Sequence, residues 1–345
     1  ALGATNFAAL DTTQIGALTA TQMRSLTTSQ IASIDAGQVS SFTTTQLTQL
    51  SGTQLKSLST SNLSALDTTQ MGEMTTTQVQ ALVTAQVASL TTEPVSALTT
   101  TQVGAMRTTQ IQGLTATQLG ALDATDIGEF TTTQLQSLTT TQVAGLTSTN
   151  AQSLSTQQLA ALTTSQIAAL SVTNLSALDA TQVGALTTTQ TKALTATQLT
   201  GLDAADVAEF STTHISNFAN TQLLALTSTN MAALAETQIA AISAPGVKAL
   251  TATNFAAFAE TQLGALTTTQ VSSLTNTQLQ ALNSTKFASF TATQLGALTT
   301  SQVSGISTTN LSALDATQFD AFRTTQLQTL STTQLNGLST TDISE

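Results

Sequence analysis

The stretch that decides the fold is Leu-Thr-Thr-Thr-Gln-Val-Gly-Ala, residues 98–105. The same pattern runs from Leu2 to Glu345 as 43 consecutive octads without insertion or deletion. Numbered from its first hydrophobic residue, position 1 is Leu, Ile, Phe or Met in all 43 octads, and position 6 is large and apolar in 41. Because a repeat array grows by adding units, we expect residues 1–345 to form one continuous solenoid that is part of a longer array.

The backbone must turn once in every octad. Eight residues carry an α-helix through roughly 800°, so one long helix would rotate its apolar residues by about 80° per octad and form no stripe. In one long strand, positions 1 and 6 would point to opposite faces. A coiled coil and a single strand are therefore both excluded.

A short capped helix explains the remaining positions. Position 2 is Ser, Thr, Asp or Asn in 36 octads, which are the residues that cap helix N-termini. Position 5 is Gln in 29 octads and completes a capping box, while positions 1 and 6 have the spacing of a hydrophobic staple. Pro94 and Pro245 fall in the first helical turn, and 13 of 17 glycines occupy positions 7 and 8, where the helix must end.

We therefore predict an all-α solenoid, a superhelical rod of 43 octapeptide repeats. Each octad would form a short capped helix and a turn. Positions 1, 6 and 8 would share the core, and position 7 would face the solvent because it varies freely and holds four of the seven basic residues.

A β-solenoid is the alternative. Thr at positions 2 and 4 gives a recurring Thr-x-Thr, and Thr and Val favour strands. Rows of Thr-x-Thr on a flat outward face would suit an ice- or carbohydrate-binding protein. Gln, Ala and Leu favour helix instead, and tight corners usually need more Gly and Asn than this chain contains.

Composition excludes several classes of function. The chain is 40% hydrophobic, 7% charged and carries a net charge of −11, so it should pack into a folded structure. Seven Lys and Arg residues form no basic patch, which argues against nucleic-acid binding. No apolar run approaches the ~20 residues of a transmembrane helix. The absence of Cys removes disulfides and thiolate metal sites.

Two acidic clusters form the predicted metal site. Their members are Asp123, Asp126 and Glu129 in the first and, ten octads later, Asp203, Asp206 and Glu209 in the second. Three carboxylates in so short a stretch suit a hard cation, so calcium is the only cofactor that the sequence suggests. The alternative interpretation is that the Asp side chains cap helices and the Glu side chains are solvated.

No catalytic site is predicted, and we expect the chain not to be an enzyme. His214 is the only histidine, and it stands at a position 5 that usually holds Gln. We interpret it as a substitute in that capping position. Ser and Thr are abundant, but a nucleophile needs a base beside it, and no base recurs in the octad.

A weaker period of ten octads overlies the repeat. Asn150, Asn230 and Asn310 follow one another at this interval. The period records either duplication of a ten-octad block or a preference tied to the phase of the superhelix.

The octad resembles the Leu-Thr-x-x-Gln repeats of large, low-complexity bacterial proteins labelled adhesin-like, hemagglutinin-like or haem-utilisation proteins. The resemblance covers the whole chain, transfers no functional residue and implies a secreted or cell-surface location. We therefore expect a structural and interaction protein: an extended rod in a bacterial surface filament, stalk or adhesin. Its expected partners are further copies of itself, in fibres or lateral assemblies, and a glycan or other surface ligand.

Overall fold

The computed structural model describes residues 2–338, and all regular structure in that range is α-helical. It contains 42 short helices, one in each octad. The prediction of an all-α repeat is confirmed. The β-solenoid alternative is wrong, because residues 2–338 contain no strand.

The chain divides into two units, Ala1–Leu178 and Asp179–Glu345. The helices of the first unit are α1 (Ala4–Ala8), α2 (Thr12–Gly16), α3 (Ala20–Ser25), α4 (Thr28–Ser33), α5 (Ala36–Ser40), α6 (Thr44–Gln49), α7 (Gly52–Ser57), α8 (Thr60–Leu63), α9 (Thr68–Gly72), α10 (Thr76–Ala81), α11 (Thr84–Ser89), α12 (Thr92–Ser96), α13 (Thr100–Ala105), α14 (Thr108–Ile111), α15 (Ala116–Ala121), α16 (Ala124–Gly128), α17 (Thr132–Ser137), α18 (Thr140–Ala144), α19 (Ser148–Ser153), α20 (Thr156–Ala161), α21 (Thr164–Ala169) and α22 (Val172–Ser176). Those of the second are α23 (Ala180–Gly184), α24 (Thr188–Ala193), α25 (Ala196–Gly201), α26 (Ala204–Ala208), α27 (Thr212–Asn217), α28 (Asn220–Ala225), α29 (Ser228–Ala233), α30 (Glu236–Ala241), α31 (Ala244–Ala249), α32 (Ala252–Ala256), α33 (Glu260–Gly264), α34 (Thr268–Ser273), α35 (Asn276–Gln280), α36 (Ser284–Phe287), α37 (Ala292–Gly296), α38 (Thr300–Ser304), α39 (Thr308–Leu311), α40 (Ala316–Asp320), α41 (Thr324–Leu327) and α42 (Thr332–Asn336).

Each helix begins at the predicted cap. In α13, the backbone N–H of Gln102 donates to Thr99 Oγ1 at 3.3 Å, and the N–H of Thr99 donates to Gln102 Oε1 at 2.6 Å. This reciprocal capping box satisfies two N–H groups that have no partner inside the helix. Where position 2 is Ala, as at Ala219, only the bond from its N–H to the Gln side chain remains.

The helices end by a different device from the one predicted. No residue in the described range has a positive φ, so glycine does not end these helices in a left-handed conformation. The N–H of position 1 instead closes a tight turn on the carbonyl of position 6, as from Met106 to Val103 at 3.1 Å. Small residues at position 8 serve packing: a Cβ added to Gly145 would lie 2.6 Å from Ala116 Cβ.

Packing between helices has a constant interval of three octads. Within the first unit, α13 contacts α10 before it and α16 after it; within the second, α31 contacts α34. A helix of four to six residues is too short to be stable alone. In most octads these contacts bury the side chains of positions 1 and 6, and each fully buried Leu contributes roughly 1.5–3 kcal/mol. The side chains at these positions that stay half-buried or exposed are Leu2, Leu10, Leu18, Leu26, Phe319, Leu327, Leu330, Leu335 and Leu338.

The predicted core needs one correction. Position 6 is buried, and position 7 is mostly exposed as expected, but position 8 is half-buried or exposed. The side chain of position 5 is buried in the core instead of that of position 8. Gln102, for example, is only 3% exposed, and Gln110 is fully buried. A buried amide needs hydrogen-bond partners, and those partners show how the octads are joined.

Candidate functional site

A ladder of side-chain amides joins successive octads. The Nε2 group of Gln46 in α6 donates to the carbonyl oxygens of Ile15 and Gly16 at 3.0 Å and of Leu18 at 2.8 Å. These carbonyls lie at the end of α2 and in the turn into α3, which packs against α6. Carbonyls at a helix C-terminus have no donor within the helix, so the amide satisfies groups that burial would otherwise penalise.

Gln102 shows that one side chain serves both purposes. Its Oε1 accepts the N–H of Thr99 at 2.6 Å, and its Nε2 donates to Met74 O at 2.5 Å. The first bond caps the helix that contains Gln102. The second bond joins this helix to the octad of Met74, three octads earlier. The capping function of Gln102 was predictable from the sequence, whereas its donation to Met74 O was not.

Asn, Lys and His at position 5 keep the donating group. Asn62 donates through Nδ2 to Ile34 O at 2.7 Å, and Lys286 donates through Nζ to Ala256 O. His214 takes the Gln position as predicted: Nδ1 accepts the N–H of Ser211 at 3.3 Å, and Nε2 lies 2.8 Å from Leu186 O. A carbonyl oxygen accepts only, so Nε2 carries the proton and both ring nitrogens are engaged in the ladder.

The first acidic cluster forms a capping box at the start of α16. The N–H of Asp126 donates to Asp123 Oδ1 at 2.8 Å, and the N–H of Asp123 donates to Asp126 Oδ2 at 3.4 Å. Asp126 is only 4% exposed, whereas Glu129 is exposed at the other end of the helix. Burial, with a smaller contribution from the charge of Asp123, raises the pKa of Asp126 above its ordinary value.

The second acidic cluster has an additional member. Asp203 and Asp206 form the same box, with both bonds at 2.9 Å. The pKa of Glu209 is raised by burial and then by the charges of Asp206, Asp179 and Asp203. Asp179 lies three octads before Asp203, and the packing interval of three octads explains why it joins the group. The sequence contained this spacing, but the interval was not known from it.

The calcium site stays a prediction. Asp123, Asp126, Asp203 and Asp206 each accept a backbone N–H, which is the chemistry of a helix cap. Among residues 2–338, no three or more acidic or histidine side chains converge in an arrangement that could hold a metal ion.

The hydroxyl groups divide into two sets. Those of position 2 accept the N–H of position 5 in most octads and are committed to capping, as Thr99 is. Every residue at position 4 from Thr5 to Thr333 is exposed, and 36 of these carry a hydroxyl. Within residues 2–338 none of the 36 hydroxyls makes a hydrogen bond to the protein. Position 4 is therefore the outward hydroxyl surface.

Neither a protein-family model nor a curated protein matches the chain. No helix within residues 2–338 is long and apolar enough to cross a bilayer.

Proposed function

We propose that this chain is a structural and interaction protein, an extended helical solenoid that forms part of a bacterial cell-surface filament, stalk or adhesin. The observation that carries the proposal is the amide ladder, because it repeats one joint in octad after octad within each unit. When every octad is hydrogen-bonded to earlier octads in the same way, each added octad lengthens the structure. No separate hydrophobic core has to form for the added octads.

The interval between packed helices suggests how each unit grows. From the helix contacts at every third octad we infer a superhelix with about three octads in each turn. Each turn would rest on the one before it, with position 6 in the core and position 4 outside. This geometry supports a role in spanning distance and displaying a regular surface.

A location on the bacterial surface is supported by the resemblance of the octad to Leu-Thr-x-x-Gln repeats. Antibody labelling and protease shaving of intact source cells would test it. The proposal predicts labelling and cleavage on intact cells. Labelling only after the cells are broken would contradict the surface location.

The outward hydroxyls of position 4 are the surface that an adhesin of this design would offer to a glycan. The exposed Thr residues present both a methyl and a hydroxyl group, and Thr69, Thr117 and Thr189 are examples. Glycan-array binding by the chain, reduced by Thr→Ala substitution at several octads of position 4, would support this contact. Unchanged binding in such a variant would contradict it.

Small-angle scattering and electron microscopy of the purified chain test the structural role. The proposal predicts thin particles with a constant cross-section and a helical circular dichroism spectrum. Compact, globular particles would contradict it.

A further inference from the structure

We propose that Asp126 and the main-chain carbonyls three octads before it form a binding site for a monovalent metal cation such as K⁺. The argument starts from the amide ladder, because the ladder shows what a side chain at position 5 faces. Gln46 Nε2 lies within 3.0 Å of three carbonyl oxygens, which belong to positions 6 and 7 at the end of α2 and to position 1 before α3. Three acceptors therefore converge on the point that the positively polarised amide group occupies.

Asp126 places an oxygen where most octads place a donor. Asn150 has the same shape and the same octad position, and its Nδ2 donates to Leu122 O at 3.0 Å. The Oδ2 atom of Asp126 accepts the N–H of Asp123 at 3.4 Å, and its Oδ1 has no hydrogen bond among residues 2–338. The side chain is only 4% exposed. With the reach that Asn150 shows, Oδ1 faces the carbonyl oxygen of Leu98, and no donor lies between these two acceptors.

The carbonyl oxygens before Asp126 also lack donors. Ser96 and Leu98 stand at positions 7 and 1, and their oxygens receive no hydrogen bond from residues 2–338. The oxygen of Val95, at position 6, receives only the N–H of Leu98 at 3.2 Å. Buried acceptors without a donor and a buried carboxylate without a counter-charge both destabilise a folded chain. A positive charge between them would satisfy both sides.

Lys286 shows that this place in the octad accommodates a positive charge. It stands at position 5, and its Nζ donates to Ala256 O, a carbonyl of position 7 three octads earlier. The ammonium group is therefore held by the kind of carbonyl that Gln46 uses through Gly16. Main-chain carbonyl oxygens also bind K⁺ by replacing its hydration shell. At Asp126 the cation would be free in solution instead of attached to the side chain.

The set of ligands favours a monovalent ion over calcium. Calcium takes about six to eight oxygen ligands, and its affinity rises with the number of charged ligands. Here a single carboxylate, that of Asp126, stands among neutral carbonyls. Asp123 Oδ1 is committed to the N–H of Asp126, and Glu129 is exposed at the other end of α16. The site therefore differs from the acidic cluster that the sequence suggested, because most of its ligands come from the main chain.

Thermal unfolding in KCl and in tetramethylammonium chloride at equal concentration tests the site. The two salts have the same ionic strength, but tetramethylammonium is too bulky for the carbonyls to surround. We expect KCl to raise the Tm of the first unit in the wild-type chain by at least about 2 °C relative to tetramethylammonium chloride, because an ion that binds only the folded state stabilises it.

Asp126→Asn should remove this dependence. Asn supplies its own donor to the carbonyls, so the Tm difference between the two salts should fall below about 0.5 °C. The matched control is Asp67→Asn, which removes one carboxylate from a position-2 cap in the same unit and leaves position 5 unchanged. This control should keep the salt difference of the wild-type chain.

A reciprocal variant should create a second site. Lys286→Asp replaces an attached ammonium group with a carboxylate before equivalent carbonyls. The Tm of the second unit should then depend on K⁺ more strongly than it does in the wild-type chain. Circular dichroism measures the melting of all four chains and checks that their helicity is equal.

Three results would overturn the inference. The first is a wild-type Tm that is equal in the two salts at every concentration. The second is a K⁺ dependence that survives Asp126→Asn. The third is a wild-type chain that acid stabilises and K⁺ does not, because a proton would then join the two oxygens in place of the cation. None of these results bears on the extended shape, so the proposed structural function is tested separately.

Discussion

The side chain at position 5 has two tasks that only a few residue types can perform together. It must accept the N–H of position 2 and donate to carbonyls of earlier octads, as Gln102 does. Glu completes a capping box as well as Gln does, yet none of the 43 octads has Glu at position 5. The need for a donor accounts for the absence of Glu, and Asn62 and His214 meet the need in other ways. Three octads depart from this rule by having an acidic residue at position 5, namely Asp126, Asp206 and Asp342.

Asp126 stands at position 5 without a donor, and we expect this to lower the stability of the folded chain. An ionised carboxylate cannot donate, whereas Asn150 at the same octad position donates to Leu122 O at 3.0 Å. Asp126→Asn should therefore raise the free energy of unfolding at pH 7 by about 1–2 kcal/mol, because it restores a donor and removes a buried charge. Chemical denaturation of the two chains at pH 7 measures this difference.

The pH dependence provides a control for the same substitution. The pKa of Asp126 is raised in the folded state, so its contribution to stability is complete at pH values below the unfolded pKa of about 4. It is lost as the pH rises through the folded pKa. The advantage of Asp126→Asn should consequently shrink toward acidic pH. A difference that is constant from pH 7 to pH 3.5 would contradict this account of Asp126.

His214 allows the two tasks of position 5 to be tested in one place. His214→Gln restores the common residue and should leave stability at pH 7 within about 1 kcal/mol of wild type. His214→Leu removes both the acceptor for Ser211 N–H and the donor to Leu186 O, and should cost about 2–4 kcal/mol. Equal stability of the Gln and Leu variants in urea denaturation would show that the ladder contributes nothing here.

At the scale of the helix, stability comes from caps and from neighbours three octads away. The capping box was predictable, because Thr99 and Gln102 have the residue types and the spacing of a known motif. The burial of Gln102 was not predictable in that way, since its carbonyl partners lie 28 to 31 residues earlier and become visible only when the packing interval is known. Gly145 stands at the helix end as predicted, and its small size also allows the close approach of Ala116.

Gln102→Ala tests the helix-to-helix joint. The substitution removes the acceptor for Thr99 N–H and the donor to Gly72 and Met74 carbonyls, and it leaves a cavity. We expect a loss of about 2–4 kcal/mol in the unfolding free energy of the first unit. Thr101→Ala, one residue away at exposed position 4, is the matched control and should change stability by less than about 0.5 kcal/mol.

At the scale of the whole chain, the packing interval bears on the period of ten octads. Asn230 and Asn310 both lie in the second unit and are ten octads apart, and ten is not a multiple of three. The three-octad contact therefore does not bring these two octads together. Both origins of the period, duplication of a ten-octad block and a preference tied to superhelix phase, stay predictions.

Because the octads make equivalent contacts, we can predict which deletions the chain tolerates. Removing residues 99–106, one whole octad, should leave the helix content per residue and the Tm nearly unchanged, because every octad makes the same kinds of contact with its neighbours. Removing residues 99–102 destroys a cap and a rung of the ladder, and should lower the Tm of the first transition by at least about 2 °C. Circular dichroism melting curves measure both. Equal melting of the two deletion variants would contradict the octad as the structural unit.

The most direct test of the three-octad interval is disulfide trapping, which is clean because the chain has no Cys of its own. Position 8 at Gly145 meets position 3 at Ala116, three octads earlier, with a Cβ–Cβ separation of 2.6 Å before any relaxation. Bridged Cβ atoms lie about 3.5–4.5 Å apart, so Ala116→Cys with Gly145→Cys should form a disulfide under mild oxidation once the two backbones separate by about 1–2 Å. Ala116→Cys paired with Ser137→Cys or Ser153→Cys, one octad to either side, should not. Preferential cross-linking at either neighbouring octad would contradict the interval on which the fold and the proposed function depend.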